Sequence, residues 1–245
     1  MARAKHVDIS AIMVAHGEGV MAGASARSIV ECKQEAEQAG LSVELIVALD
    51  RADTATRLMF SGDEQSDWTV LETDFGDQGR VRNFAVENSR GDFVAFLDGD
   101  DIWSCNWLTA ASELCLQNPD KYIVHPEYNC FFGDNNNIFL KCDQEDPIYE
   151  PSFLRFGNYW DALCFARRDI YLNTPYVPRE MDKGFAFEDW NWNCQTIDKG
   201  YVHRTAPDTI HFKRRRKQSQ TIRASQSGAL VRPTEQFYFS NLPEK

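Results

Sequence analysis

Phe93-Val-Ala-Phe-Leu97 runs directly into Asp98-Gly99-Asp100-Asp101. Five apolar residues without a break, bounded by polar ones, have the pattern of a strand buried on both faces. Three carboxylates follow within four residues. Like charges this close repel, and burying one is costly unless a partner or a cation meets it. Gly99 lets the backbone turn and come close to a ligand. A divalent ion such as Mg2+ or Mn2+ would relieve the crowding, because it takes oxygen ligands from carboxylates and substrate phosphates. A solvated acidic loop, with one Asp capping the next helix, is the competing reading.

The same logic extends outward. Ile9–Ala15 is a compact apolar run and reads as a buried strand. Ser25–Ala39 is amphipathic and ends at Gly40, a helix with a glycine stop. Leu45–Leu49 and Thr69–Leu71 read as strands, Gly79–Ser89 as a helix closed by Gly91. Asn106–Gln117 reads as a helix stopped by Asn118-Pro119, and Tyr122–His125 as a further strand. Alternating strands and helices predict an α/β fold with a mostly parallel sheet flanked by helices. In such sheets ligands sit beyond the carboxyl ends of the strands. The polar residues there are His16, Asp50 with Asp53, Asp74, and Asp98–Asp101.

The second half is less regular and rich in aromatics, most of which are expected to build the core. Glu188-Asp189 precedes Trp190-Asn-Trp192, where acids also suit the first turn of a helix. A basic run, Lys213–Lys217, stands against the acidic background. Trp160, Trp190 and Trp192 are candidates for a sugar platform as well as for core packing, and Asp161 is a candidate acceptor contact.

The bulk numbers narrow the class. The chain has 245 residues, 43% hydrophobic and 26% charged, which suits one globular domain. A formal net charge of -11 argues against a general nucleic-acid binder, which needs a basic face. Seven Cys without a CxxC pair fit reduced thiols better than a disulfide or zinc scaffold. No segment approaches the ~20 apolar residues of a membrane span, and no signal-peptide core opens the chain. A cytoplasmic protein is expected, with the basic run leaving open a peripheral contact at the inner face of the membrane. Residues 1–126 read as the regular strand-and-helix half, 127–225 as the less regular half and 226–245 as an extension. The closing Asn241-Leu-Pro-Glu-Lys245 carries no signal that ends a fold, so further domains of the same polypeptide are expected to be open.

Gly79-Arg-Val-Arg82-Asn83, the helix it opens, Arg90-Gly91-Asp92, the strand and the acidic turn together resemble the family 2 glycosyltransferases of the GT-A fold. Val81 stands where that family usually has Ala, and His16-Gly17 departs from its pattern after the first strand. The resemblance covers residues 8–126 and extends to about 220 through Glu188-Asp189 and His211.

That resemblance implies an inverting transfer of a sugar from a nucleotide-diphosphate donor (UDP, dTDP or GDP) to a glycan or lipid-linked acceptor, as in polysaccharide biosynthesis. It makes residues 1–126 the nucleotide-sugar-binding half and 127–225 the acceptor half, and places Asp50 on the nucleobase, Arg82 near the base or diphosphate, and Asp98 near the ribose or the nucleotide. Asp100 would ligate Mn2+ or Mg2+ with His211 as a further metal ligand, and Asp101 would support them. Asp189 would be the general base, oriented by Glu188. Two other classes compete. A sugar-nucleotide nucleotidyltransferase would carry a basic Gly-rich loop after the first strand, and His16-Gly-Glu-Gly19 lacks the basic residue. A carbohydrate-binding domain without chemistry would have no need of Asp98, Asp100, Asp189 and His211.

Overall fold

Every residue of Ile9–Ala15 is buried, and this segment is the central strand β1 of the sheet. The computed structural model describes residues 6–62, 66–217 and 219–238; the end of the expected extension, 239–245, lies outside the described residues. After β1 come α1 (Val20–Gln38), β2 (Val43–Asp50), the short α2 (Thr54–Leu58), β3 (Trp68–Thr73), α3 (Gln78–Glu87) and β4 (Phe93–Asp98). These four strands pair in parallel in the order β3-β2-β1-β4. α1 stops as expected: Gly40 takes φ 88°, and the Leu41 amide returns to the Ala36 carbonyl at 3.0 Å. Gly91 is required by contact, since a Cβ there would lie 2.4 Å from the Ser10 nitrogen on β1.

The rest of the chain is β5 (Ile102–Trp103), α4 (Trp107–Cys115), β6 (Tyr122–Gly133), β7 (Asn137–Leu140), β8 (Phe165–Arg167), α5 (Arg168–Asn173), α6 (Glu188–Asp198), β9 (Val202–Arg215) and α7 (Gln220–Gln226). The sheet continues past β4 in the order β8-β6-β9-β5, with β7 on β6. Here the pairing becomes mixed: β8 is antiparallel to β4 and β6, whereas β9 is parallel to β6 and antiparallel to β5. The sheet is therefore wholly parallel in its first half and mixed in its second, where β6 and β9 are again parallel.

Two features position the site. Tyr171, Tyr176 and Trp192 stack on one another beside Phe96 of β4, which fixes α6 against the sheet. β5 follows the acidic turn at once and pairs Ile102 with Phe212 and Trp103 with His211. Extending that antiparallel register sets Asp100 and Asp101 opposite Lys213 and the arginines after it. Among the described residues no helix is long and apolar enough to cross a membrane.

Candidate active site

α3 begins at Asp77, whose carboxylate accepts from the Arg80 amide at 2.9 Å and from the Arg179 amide at 2.9 Å. On α3, Asn83 exchanges two hydrogen bonds with the backbone of Tyr176, each 2.9 Å. Arg82 points the other way, into the site. Its side chain is only 2% exposed, and it donates to Asp98 at 2.9 Å and to Glu188 at 3.2 Å. The Arg179 guanidinium stands 3.8 Å from the other oxygen of Glu188. One arginine thus ties the end of β4 to the start of α6.

Asp189 is the next residue on α6 and lines the same cavity as Arg82, Asp98, Asp161, Arg179, Glu188 and Lys213. The cavity measures about 100 Å³, far below the roughly 300–1,000 Å³ of a site that encloses a whole small molecule. It has room for the reacting end of a ligand whose remainder lies along the sheet edge. Burial, followed by the neighbouring Glu188 charge, pushes the Asp189 carboxyl up to about 7. Phe187, directly before this pair, is held at φ 61° and ψ 57°, a left-handed conformation that a bulky side chain adopts only under constraint.

The acidic turn meets basic residues from β9. Asp101 accepts from the Arg214 amide at 2.8 Å and lies 3.6 Å from Lys213. Burial nevertheless raises its carboxyl to about 8. Asp100 pairs with Arg216 at 2.9 Å; burial raises its carboxyl too, with Arg216 opposing. Lys213 bridges Asp101 and Asp161, the latter at 3.2 Å. Asp161 also accepts from Lys141 at 3.1 Å, from Asn129 at 3.1 Å and from the Leu163 amide at 3.1 Å. Burial works against the Asp161 charge, but Lys141 and Lys213 outweigh it and hold the carboxyl well below its usual range.

The family model described as glycosyl transferase family 2 matches residues 10–167, from β1 through β8. The chain belongs to glycosyl transferase family 2. No curated protein matches the sequence. Among solved structures, S. aureus TarS 1-349 in complex with UDP-GlcNAc is similar, with a TM-score of 0.64 at 14% identity, over 87% of this chain and 60% of that one. The mannosyltransferase PcManGT from Pyrobaculum calidifontis, in complex with GDP-Man and Mn2+, gives 0.59 at 16% identity, over 88% of this chain and 59% of that one. This family 2 member therefore spans about three fifths of the length of those two chains, and at such identities they share its fold.

The residues expected to act together divide into two groups. Arg82, Asp98, Glu188 and Asp189 converge on one cavity. Asp50 stands apart at the end of β2, where it accepts from Thr73 Oγ1 at 2.9 Å and from the Phe75 and Gly76 amides at 2.7 and 2.8 Å. It shapes the loop after β3, and a carboxylate's four acceptor positions leave it one for a nucleobase.

The expected metal set is not assembled. His211 is fully buried, stacked on Trp103 and edge-on to Trp107, and neither ring nitrogen has a hydrogen-bond partner. The charges that act on it are those of Lys141, Asp161 and Lys213. Asp100, its expected co-ligand, faces Arg216 instead. Among the described residues no three His, Cys, Asp or Glu side chains are grouped to hold a metal ion. Each carboxylate of the acidic turn is met by a cation of the chain itself: Arg82 at Asp98, Arg216 at Asp100 and Lys213 at Asp101.

The expected acceptor contacts also change. Trp160 is 4% exposed, donates to the Cys142 carbonyl at 2.7 Å and stacks on His203 at 4.3 Å, which makes it core. Trp190 is half-buried and donates to the Leu154 carbonyl at 2.9 Å. Asp161 reaches the cavity wall but is held by four donors of the chain. Lys141 and Arg179 went unread in the sequence, since a lone basic residue in an irregular segment carries no pattern. Lys213 lay inside the basic run, and only strand alternation within β9 singles it out.

Proposed function

We propose that this family 2 transferase moves a sugar from a nucleoside diphosphate donor to an acceptor hydroxyl in one displacement that inverts the anomeric centre. The observation that carries this reading is the convergence of Asp189, Arg82, Asp98 and Lys213 on one cavity, drawn from α6, α3, β4 and β9. Asp189 takes the acceptor proton while the acceptor oxygen attacks the anomeric carbon. A carboxyl near 7 is matched to a base working at neutral pH. Glu188, fixed by Arg82, holds Asp189 in place and keeps its affinity for a proton high. Arg82 and Lys213 present positive charge near the departing diphosphate, in a walled site where such charge is worth more than in water.

The fold is shared with structures holding UDP-GlcNAc or GDP-Man with Mn2+, which supports a nucleotide-sugar donor here. Asp100 and His211, whose ring nitrogens have no hydrogen-bond partner among the described residues, are the residues that would hold a divalent ion, and its charge would meet the departing diphosphate. A glycan or lipid-linked acceptor, a role in polysaccharide synthesis and a contact with the membrane surface remain parts of the proposal for their own tests. The deciding experiment incubates the protein with UDP-, GDP- and dTDP-sugars and follows release of nucleoside diphosphate, with proton NMR of the anomeric signal of the product. Release that depends on Asp189 supports the reading. A retained anomeric configuration would sink the single displacement, and release unchanged in Asp189→Asn would sink the base.

A further inference from the structure

All four residues of β7, Asn137-Ile-Phe-Leu140, are exposed. Ile138 is 72%, Phe139 53% and Leu140 63% exposed. An apolar edge strand without a charge or a proline is what soluble proteins usually avoid, because its open backbone is a template for another strand. β7 pairs with β6, and among the described residues no strand lies on its outer edge. The Lys141 amide donates to the Glu127 carbonyl at 2.8 Å, so the hydrogen bonds of this antiparallel ladder fall on the odd residues of β7. The N–H and C=O groups of Ile138 and Leu140 therefore point outward, away from β6. Their side chains share a face with Cys130 and Tyr128 of β6 and, through the next register, with Phe212 and Ile210 of β9, all of them only half-buried. On the opposite face Phe139 packs on Phe131, with ring centroids 5.2 Å apart.

We propose that β7 is a dimerisation strand: its outer edge pairs antiparallel with β7 of a second copy, with Phe139 opposite the partner's Phe139 on the two-fold axis. Ile138 then faces the partner's Leu140, and Leu140 the partner's Ile138. Each of these pairs exchanges both of its hydrogen bonds, so the outward backbone groups are satisfied. The two phenylalanines form the closer, non-hydrogen-bonded pair, where aromatic side chains reinforce the sheet. Such an interface is isologous and closes on itself. The charges suit it as well. The chain carries a formal net charge of -11, yet β7 carries none, and this register sets Asn137 opposite the partner's Lys141, so no like charges meet. A lipid surface would take the apolar side chains and leave the outward N–H and C=O groups without partners. The pairing covers less than the roughly 800 Å² per partner of a standard interface, so the dimer is weak. None of this depends on the transfer reading above.

The test is sedimentation of the full chain. Between about 1 and 300 μM a monomer should pass to a dimer, with a dissociation constant on the order of 10–100 μM. Ile138→Pro removes an outward N–H and leaves the bonds to β6 in place, and Phe139→Lys sets two like charges across the axis. Each should weaken self-association by at least about tenfold, a loss that needs only one or two missing contacts, with the melting temperature kept. Cross-linking reads the register. In a Cys105→Ser background, which removes the exposed thiol, Phe139→Cys with oxidised glutathione should give a disulfide-linked dimer, since facing Cα atoms in such a pair lie about 4.5 Å apart. Ile138→Cys should not, because the two-residue offset takes its Cα beyond about 7 Å from its counterpart. A chain that stays monomeric throughout, a dimer that survives both Ile138→Pro and Phe139→Lys, or equal cross-linking at 138 and 139 would overturn the proposal. A monomer that binds vesicles of phosphatidylcholine and phosphatidylserine, and loses that binding in Phe139→Lys, would overturn it in favour of a lipid surface.

Discussion

Arg82 and Glu188, 106 residues apart in the chain, form a buried ion pair of 3.2 Å. The same guanidinium holds Asp98 at 2.9 Å, so the two halves of the fold meet through one side chain at the mouth of the cavity. Removing the arginine leaves two carboxylates without their cation. Arg82→Ala is expected to cost about 3–5 kcal/mol, as for other broken buried pairs, read by urea unfolding. Arg82→Lys, which cannot fork between both acids, should stay folded and lose transfer. A loss below about 1 kcal/mol in Arg82→Ala would show that the pair is not structural.

Asp189→Asn should lower kcat by about 10²–10⁴-fold, the range for a positioned base, with the fold intact. Asp189 works ionised, so wild-type activity should be full above about 7 and fall as pH drops below it. Stability runs the opposite way. The unfolded carboxyl ionises at its ordinary value of 3.8, the folded one at about 7, so this group's contribution is lost as pH rises between the two. Asp189→Asn should remove that part of the pH slope and be more stable than wild type above pH 7 in thermal melts. A rate and pH profile like those of wild type would exclude Asp189 as the base.

His203 is fully buried between Trp160 and Trp192, shares a 2.8 Å hydrogen bond with His125 and another of 2.8 Å with Thr196, and is pushed down to about 3 by burial. Its unfolded counterpart takes a proton below the ordinary imidazole value of 6.5. Its contribution to stability is therefore complete above about 6.5 and lost as pH falls toward 3. His203→Gln should be less stable at neutral pH and show a shallower loss of stability between pH 6 and pH 4. An acid profile that matches wild type would remove His203 as a cause.

Trp160 separates a core role from a sugar platform. Trp160→Ala should cost about 3–5 kcal/mol, as large-to-small core changes do, because it empties the space against His203 and Tyr149. At temperatures where the variant is folded, KM for the acceptor should hold. A raised KM without loss of stability would restore the platform reading.

The first half of the fold was legible because its signals are local. β1, β2 and β4 are dominated by apolar runs, α1 is followed by Gly40 in a left-handed turn, and Gly91 after α3 lets the chain touch β1. The second half was not. β8 is three residues long and β5 two, and both exist through pairing with distant strands. Trp160 and Trp190 stayed open between a sugar platform and core packing because a tryptophan has the same name in a core as on a face, and only its indole partner tells them apart. His211 looked like a ligand because its position relative to Trp103 and Trp107 is a matter of strand register.

By itself the sequence determined the parallel half-sheet, the acidic turn at its edge and the acids that begin α6, since hydrophobic period, turn chemistry and charge spacing act over a few residues. The tertiary structure alone decided which charge meets which. The antiparallel register of β5 on β9 sets Asp101 against Lys213, and Arg216, just past the end of β9, lies against Asp100. Coulomb energy depends on distance through space, and a chain that returns to the same sheet edge after more than a hundred residues encodes that distance only once it is folded.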